Sequence, residues 1–306
     1  MAAATGRSWW HSSAQRREAL EGYLWISPWV IGFLLFALGP MIASLYLSFT
    51  EYKIGGSPVW LGLENYIRAF SQDKLFWPSL NRTAYFAIAT VGLGTVGSLL
   101  AAILLNQNAR GRNFFRALYY LPSLTPVVAL AILWQWLLQP QVGFVNYALY
   151  QMGIDGPGWL TSRQWAVPSL ILISLWAGIG GGRMIIFLAG LQGVPQELYE
   201  SAELDGASTL QRFFNITLPM ISPVILFNVI LGVIGSFSVF ALAYVATDGG
   251  PNYATYFFVL HLYYNAFSYF QMGYASALAW VFFLIIFILS FVQIKFSDRW
   301  VYYEFS

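Results

Sequence analysis

Glu197-Leu198-Tyr199-Glu200-Ser201-Ala202-Glu203-Leu204-Asp205-Gly206-Ala207, running on to Ile216-Thr217-Leu218-Pro219, interrupts a chain that is otherwise almost entirely lipid-soluble. Pro195 fits a first helical position, and Glu197 and Glu200 favour the positive end of a helix dipole. Leu198 and Ala202 fall four apart on one face with Glu200 and Glu203 elsewhere, which predicts a short amphipathic helix. Asp205-Gly206 ends it, because glycine accepts the left-handed conformation at a helix terminus. Ser208 with Gln211 three residues on reads as a capping box for a second helix. Phe213, Phe214 and Ile216 supply its apolar face, and Pro219 marks entry to the next apolar block. Such a helix–turn–helix is either a handle for a soluble partner or an ordinary interfacial hairpin.

Working outward, composition settles the class. Of 306 residues, 58% are hydrophobic, 19% aromatic and only 9% charged, against roughly 25% charged in a soluble domain. A formal net charge of +2 and the lack of a basic block exclude a nucleic-acid binder. With no cysteine there is no disulfide framework, thiolate metal site or thiol nucleophile. This is the composition of an integral membrane protein.

Long apolar runs with few or no charges predict six spans, near residues 24–49, 83–105, 117–138, 166–191, 218–246 and 273–294. The first, about 26 residues or roughly 39 Å as a helix, is too long and lacks the cleavage site of a signal peptide. Prolines 28, 40, 122, 126 and 223 mark kinks, since neighbouring helices and water re-satisfy the groups they free. An even number of spans puts both termini on one side. With the N terminus inside, the inner segments hold Arg7, Arg16, Arg17, Arg110, Arg112, Arg116, Arg212, Lys295 and Arg299. The outer ones hold Lys53, Arg68, Lys74, Arg82 and Arg163. The bias favours both termini, and the acidic hairpin, in the cytoplasm.

The run Glu200-Ser201-Ala202, three residues, Gly206, nine residues, Ile216, one residue, Leu218-Pro219 resembles the EAA loop of permease subunits from binding-protein-dependent ABC importers. Ser201, where that pattern has alanine, is the one departure. The resemblance extends over essentially the whole chain from the first span and is nearest the carbohydrate group, similar to the maltose and glycerol-3-phosphate permeases. Supporting pieces are 187–192 before the loop, 247–251 after span five, 273–277 opening span six, and Trp159-Leu160.

The resemblance implies an all-α integral membrane protein with six transmembrane helices, the type I ABC importer permease fold and a cytoplasmic EAA coupling-helix loop. Residues 1–23 would be a cytoplasmic segment, 24–297 the permease domain with its loop at about 194–219, and 298–306 a cytoplasmic tail, in a prokaryotic inner membrane. Glu200, Ser201, Ala202, Asp205, Gly206, Ala207, Ile216, Leu218 and Pro219 would engage an ATPase. Of these, Glu200 would make a polar contact, Gly206 the tight turn, and Ala202 and Ala207 close packing. Implied partners are a second, different permease, two ATPase subunits, an extracytoplasmic sugar-binding protein and membrane lipid. ATP and magnesium would sit on the ATPase, since this chain has no G-x-x-x-x-G-K-[ST] loop and binds no cofactor of its own.

For the substrate path, spans four and five offer Ser174, Trp176, Gly178, Gly180, Asn228, Ser236, Ser238 and Tyr244, hydroxyl, amide and aromatic groups of the kind sugars bind. Glycines and serines also pack membrane helices closely. In the maltose-type permeases these segments supply the sugar contacts, but several asparagines there are Ser236, Ser238 and Val239 here. Arg183 is the one ionised group placed within a span, either snorkelling, making an interhelical contact or facing substrate. His261 falls in an aromatic stretch, 253–270, expected to form an external interfacial helix; with His11 far away there is no metal constellation. An ion-coupled carrier would need intramembrane acids, and no Asp or Glu falls within a predicted span. An enzyme would need a nucleophile–base pair or a metal cluster, and neither is visible. A permease for a non-sugar solute, such as an amino acid, is the other open reading.

Overall fold

The computed structural model describes residues 13–107 and 110–302. Arg7, His11, the middle of the 106–113 loop and residues 303–306 of the tail lie outside the described residues.

The chain opens with α1 (Ser13–Phe33), which runs through a π-helical turn, Leu34–Leu38, into α2 (Gly39–Ser48). The wide turn lies just before Pro40, which has no N–H to give to a regular helical ladder. Trp25 and Phe36 are each 83% exposed, so this span presents its apolar side chains to lipid. A two-stranded antiparallel hairpin, β1 (Thr50–Glu51) and β2 (Val59–Trp60), and α3 (Glu64–Ser71) follow. Buried Asn65 ties them down by donating to the carbonyls of Ser48 and Thr50, both at 2.9 Å.

The long helix α4 (Phe76–Asn106) is the axis of the molecule. Small residues along it (Ala87, Gly94, Gly97, Ala101, Ala102) let neighbours approach, the usual device of membrane helices. It contributes to all three buried clusters: Phe86 with Leu130, Leu170, Ile173 and Leu242; Phe76 and Ala87 with Phe258, Leu278 and Phe282; Ala101 and Ala102 with Met184, Phe187 and Ile221.

The predicted third, fourth and fifth spans are each broken. α5 (Arg112–Tyr120) meets α6 (Val127–Leu137) at 95°. Pro126 forces Thr125 into an extended conformation (ψ 126°) that no helix tolerates. The run read as starting at residue 117 therefore begins inside an amphipathic helix that turns away from the span. Arg116 of α5 donates to the Leu105 carbonyl at 3.0 Å, satisfying the C-terminal end of α4. After α7 (Phe144–Gln151), α8 (Ala166–Gly178) and α9 (Gly182–Gln192) meet at 48° across a glycine bend.

The acidic stretch forms α10 (Gln196–Leu204) and α11 (Thr209–Arg212). From α11 the chain continues through a π-helical turn, Phe213–Thr217, and α12 (Leu218–Met220), then bends 63° into α13 (Ser222–Phe237). The helix feeding span five thus starts nine residues before the expected boundary at 218. It also stops earlier: the chain unwinds at residues 238–240 before α14 (Ala241–Thr247), so 218–246 is not one helix.

The stretch 253–270 was expected at an interface. Instead α15 (Phe258–Tyr263) packs inward, with Phe258, Leu260 and His261 buried. The last span, α16 (Met272–Ser297), lies beside α2, to which Trp280 donates at 3.1 Å through the Ser44 hydroxyl. Among the described residues, three continuous helical stretches and three bent pairs thus have the length and composition to cross a membrane.

Candidate functional site

Two features stand at different depths of the bundle: the α10–α11 hairpin at one end, and a cavity between α4, α8, α9 and α13.

The hairpin is built by its local sequence. Pro195 is the residue before α10 (φ −58°, ψ 130°), one position earlier than expected. Gly206 has φ +75°, donates to the Glu203 carbonyl at 3.0 Å, and lets Ala207 donate to Ala202 at 2.9 Å. This paired pattern closes a helix on a left-handed glycine. The Ser208–Gln211 capping box is present in both directions. Tyr199 bonds the Thr217 hydroxyl at 2.8 Å, fixing α10 to the helix that enters the membrane. Arg212 pairs with Glu203 at 3.4 Å, while Glu200 stays exposed. The Ser201 hydroxyl donates back to the Glu197 carbonyl of its own helix, four residues earlier, at 2.8 Å. Ala202, Ala207, Ile216, Leu218 and Pro219 are half-buried, whereas Asp205 is exposed. Leu204, Leu210 and Phe214 of this otherwise polar segment are 91%, 70% and 58% exposed.

The cavity has a volume of about 570 Å³. Of the substrate-path residues read from sequence, Ser174, Gly178, Ser236 and Ser238 line it. The other four do not. Trp176 turns outward and packs edge-on to Trp134 at 5.5 Å. Gly180 is buried where a Cβ would lie 1.9 Å from the Tyr119 carbonyl oxygen, so it is a packing glycine. Asn228 is fully buried and donates to the Val224 carbonyl of its own helix at 2.9 Å. Tyr244 stacks on Phe240, centroids 5.4 Å apart, outside the cavity.

Sequence reasoning missed Thr90, Ser123 and Thr125, which also line the cavity. Thr90 donates to the Ser236 hydroxyl at 3.1 Å, linking α4 to α13 at the wall. Nothing in the sequence distinguishes it from other threonines in apolar helices. Arg183, the first side chain after the glycine bend, lines the cavity too.

A third cluster lies at the other end. Asp73, between α3 and α4, accepts from His261 at 2.8 Å, Tyr274 at 2.5 Å and the Leu75 N–H at 2.8 Å. Burial pushes its carboxyl up, but the hydrogen bonds from His261 and Tyr274, the His261 charge and the Leu75 N–H outweigh this. They hold it well below the usual carboxylate range. The cluster clamps the segment before α4 to α15 and α16. Among the described residues no group of three or more potential metal ligands occurs.

These features define a multi-pass helical membrane protein with a cavity between its helices, lined by apolar, hydroxyl-bearing and glycine residues and by Arg183, and an exposed hairpin at one end. Residues 94–301 match the family of binding-protein-dependent transport system inner membrane components, and the chain belongs to that family. It is 42% identical over 297 residues to the probable ABC transporter permease protein YesP of Bacillus subtilis, covering 96% of this chain and 95% of that one. It is 32% identical over 285 residues to the trehalose/maltose transport system permease protein MalF of Thermococcus litoralis, covering 93% and 96%. Among solved structures it is similar to a bacterial ABC transporter involved in the import of the acidic polysaccharide alginate. There the TM-score is 0.83 and the identity 25%, with 93% of this chain and 96% of that one covered. The chain is an ABC transporter permease with the type I importer fold.

Proposed function

We propose that this chain forms half of the path by which an ATP-driven importer moves a saccharide across the membrane. The observation that carries the reading is the hairpin. Its turn is fixed by Gly206, its apolar residues Leu204, Leu210 and Phe214 are exposed, and α11 runs on toward α13, one wall of the cavity. Similar proteins are named for the transport of trehalose/maltose, arabinooligosaccharides, lactose and sn-glycerol-3-phosphate, which supports a saccharide or sugar-like solute.

In this reading the hairpin faces the cytoplasm, as do both termini, and seats in a groove on a separate ATPase that holds ATP and magnesium. Closure of two ATPases on ATP draws two such hairpins together and turns the cavity from inward- to outward-facing. Moving that equilibrium from 1:99 to 99:1 needs about 5.5 kcal/mol of differential binding, which nucleotide binding to the partner supplies. The cavity hydroxyls of Ser174, Ser236, Ser238 and Thr90 would bond sugar hydroxyls in passing. A second, non-identical permease would complete the path, and an extracytoplasmic binding protein would deliver the cargo.

The test is co-purification followed by reconstitution. An ATPase and a second permease should follow the chain out of the membrane, and proteoliposomes holding the assembly and its binding protein should take up saccharide only with ATP. Uptake that persists in vesicles free of any ATPase overturns the reading; an intact complex with two identical permeases overturns its heterodimer part.

A further inference from the structure

We propose that the saccharide carried by this chain is anionic, bearing a carboxylate or a phosphate, and that Arg183 is the residue that selects it. The inference deepens the importer reading and rests on it. Among the described residues Arg183 is the one ionised group lining the cavity; the rest of the lining is apolar, hydroxyl-bearing or glycine. No salt bridge to Arg183 occurs among the described residues. Among the described residues its one side-chain hydrogen bond, to the Thr90 carbonyl, is 3.5 Å long, at the outer limit of such a bond. A guanidinium carries five donors in a planar fork. As an interhelical strut it would hold short, paired bonds, and it does not.

The surrounding helices are nevertheless shaped around it. A Cβ at Gly94 of α4 would lie 2.6 Å from one guanidinium nitrogen, and one at Gly232 of α13 would lie 3.0 Å from the other. Glycine at these two positions leaves the flat group room between the helices, next to the cavity wall. A cation at membrane depth is costly and is tolerated where it faces a water-filled path or a counter-charge. Among the described residues no carboxylate lines the cavity. The counter-charge that fits is one the cargo brings, and the guanidinium fork matches a carboxylate or phosphate through two parallel bonds. Arg183 also sits in the first turn of α9, whose positive end adds to the same sign. Hydroxyls of Ser174 and Ser236 along the same cavity suit the remainder of a sugar.

The experiment uses the assembled importer in proteoliposomes with four cargoes: a galacturonate oligosaccharide, the same oligosaccharide after reduction of its carboxyls, a hexose phosphate, and a neutral glucose oligosaccharide. Uptake should favour the galacturonate or the hexose phosphate, and which of the two identifies the anion. Arg183→Gln should lower that uptake at least tenfold relative to Arg183→Lys, with a much smaller effect on a neutral cargo. Gly182→Asp keeps Arg183 but sets a carboxylate beside it at a site with nothing within 4 Å of a new Cβ, and it should lower anionic uptake in the same way. It serves where Arg183→Gln fails to assemble. Uptake of neutral saccharides only, or anionic uptake indifferent to both substitutions, overturns the inference and leaves the importer reading standing. Uptake of no saccharide at all overturns both.

Discussion

Gly178 and Gly180 are two residues apart in the same bend, and the structure predicts opposite outcomes when each becomes alanine. At Gly178, the last residue of α8, an added Cβ meets nothing within 4 Å. The substitution should be neutral, or stabilising by up to about 1 kcal/mol, because alanine is the better helix former. At Gly180 the same methyl falls 1.9 Å from the Tyr119 carbonyl oxygen and 2.6 Å from its carbon. These are backbone atoms, so no rotamer change relieves the clash. An ordinary C···O approach is about 3.3 Å, so the end of α5 has to retreat by about 1.4 Å. The turn at Leu121–Leu124 must follow, because Ser123 packs against neighbouring Gly181. Overpacking of this kind costs about 1–3 kcal/mol, roughly a fivefold or greater loss in the ratio of folded to unfolded chain. The assay is the thermal survival of the monodisperse detergent-solubilised importer, read by size-exclusion after heating. Gly180→Ala should fall well below wild type, with Gly178→Ala at or above it. Equal behaviour of the two variants, in either direction, would refute the assignment of Gly180 to packing.

Other expectations follow from single contacts. The Thr83 hydroxyl accepts from the buried Phe258 N–H at 2.9 Å, so Thr83→Val should cost about 1–3 kcal/mol while Thr83→Ser is tolerated, as measured by the same heating assay. Gly206→Val forces a β-branched residue to φ +75°, a strain of about 1–2 kcal/mol. It should reduce the ATPase that co-purifies, and undiminished co-purification would remove Gly206 from the proposed docking surface. Asp73 has a carboxyl held below its ordinary value by its neighbours. Its contribution to stability is therefore complete above about pH 4 and is withdrawn as pH falls from there toward the folded-state value. Wild type should lose stability over that acid window by an increment that Asp73→Asn lacks, while the variant is already weaker at neutral pH.

The parts legible in the sequence are those written in contiguous residues. The hairpin from Pro195 to Gln211 was readable because capping boxes and glycine C-caps act over three or four positions. The six apolar segments were readable because a membrane demands length and hydrophobicity of each one separately. Their interruptions were not. α5 carries Phe114, Phe115, Leu118 and Tyr119, and to a composition window its apolar face merges with the α6 run although the two helices meet at 95°. The cavity was half legible: span and residue type pointed to Ser174 and Ser236, but only the path of the bend separates Gly178, at the end of α8 and in the wall, from Gly180, in the packing. The Asp73–His261–Tyr274 clamp could not be read at all. His261 and Tyr274 lie 188 and 201 positions from Asp73, and each residue alone looks ordinary: Asp73 and His261 between predicted spans, Tyr274 at the start of one.

The hairpin and the cavity are usefully considered as two ends of one helical track. The Tyr199–Thr217 bond fixes α10 against the segment that continues from α11 toward the membrane, so the hairpin is not hinged freely at its base. Beyond Thr217 the one sharp break before the cavity is at Ile221, where the track bends by 63°. Ile221 is itself fully buried against Ala101, Met184 and Phe187, on helices α4 and α9. A displacement of the hairpin therefore meets a packed fulcrum, and on its far side α13 holds Ser236 against Thr90 and Gly232 against Arg183. Close-packed interiors respond to such a load by switching between arrangements more readily than by bending smoothly. At the wall the Arg183 guanidinium lies 3.5 Å from the Thr90 carbonyl of α4. Movement of α13 at Gly232 would change what that guanidinium faces, and so tie the state of the hairpin to the charge presented to the cargo.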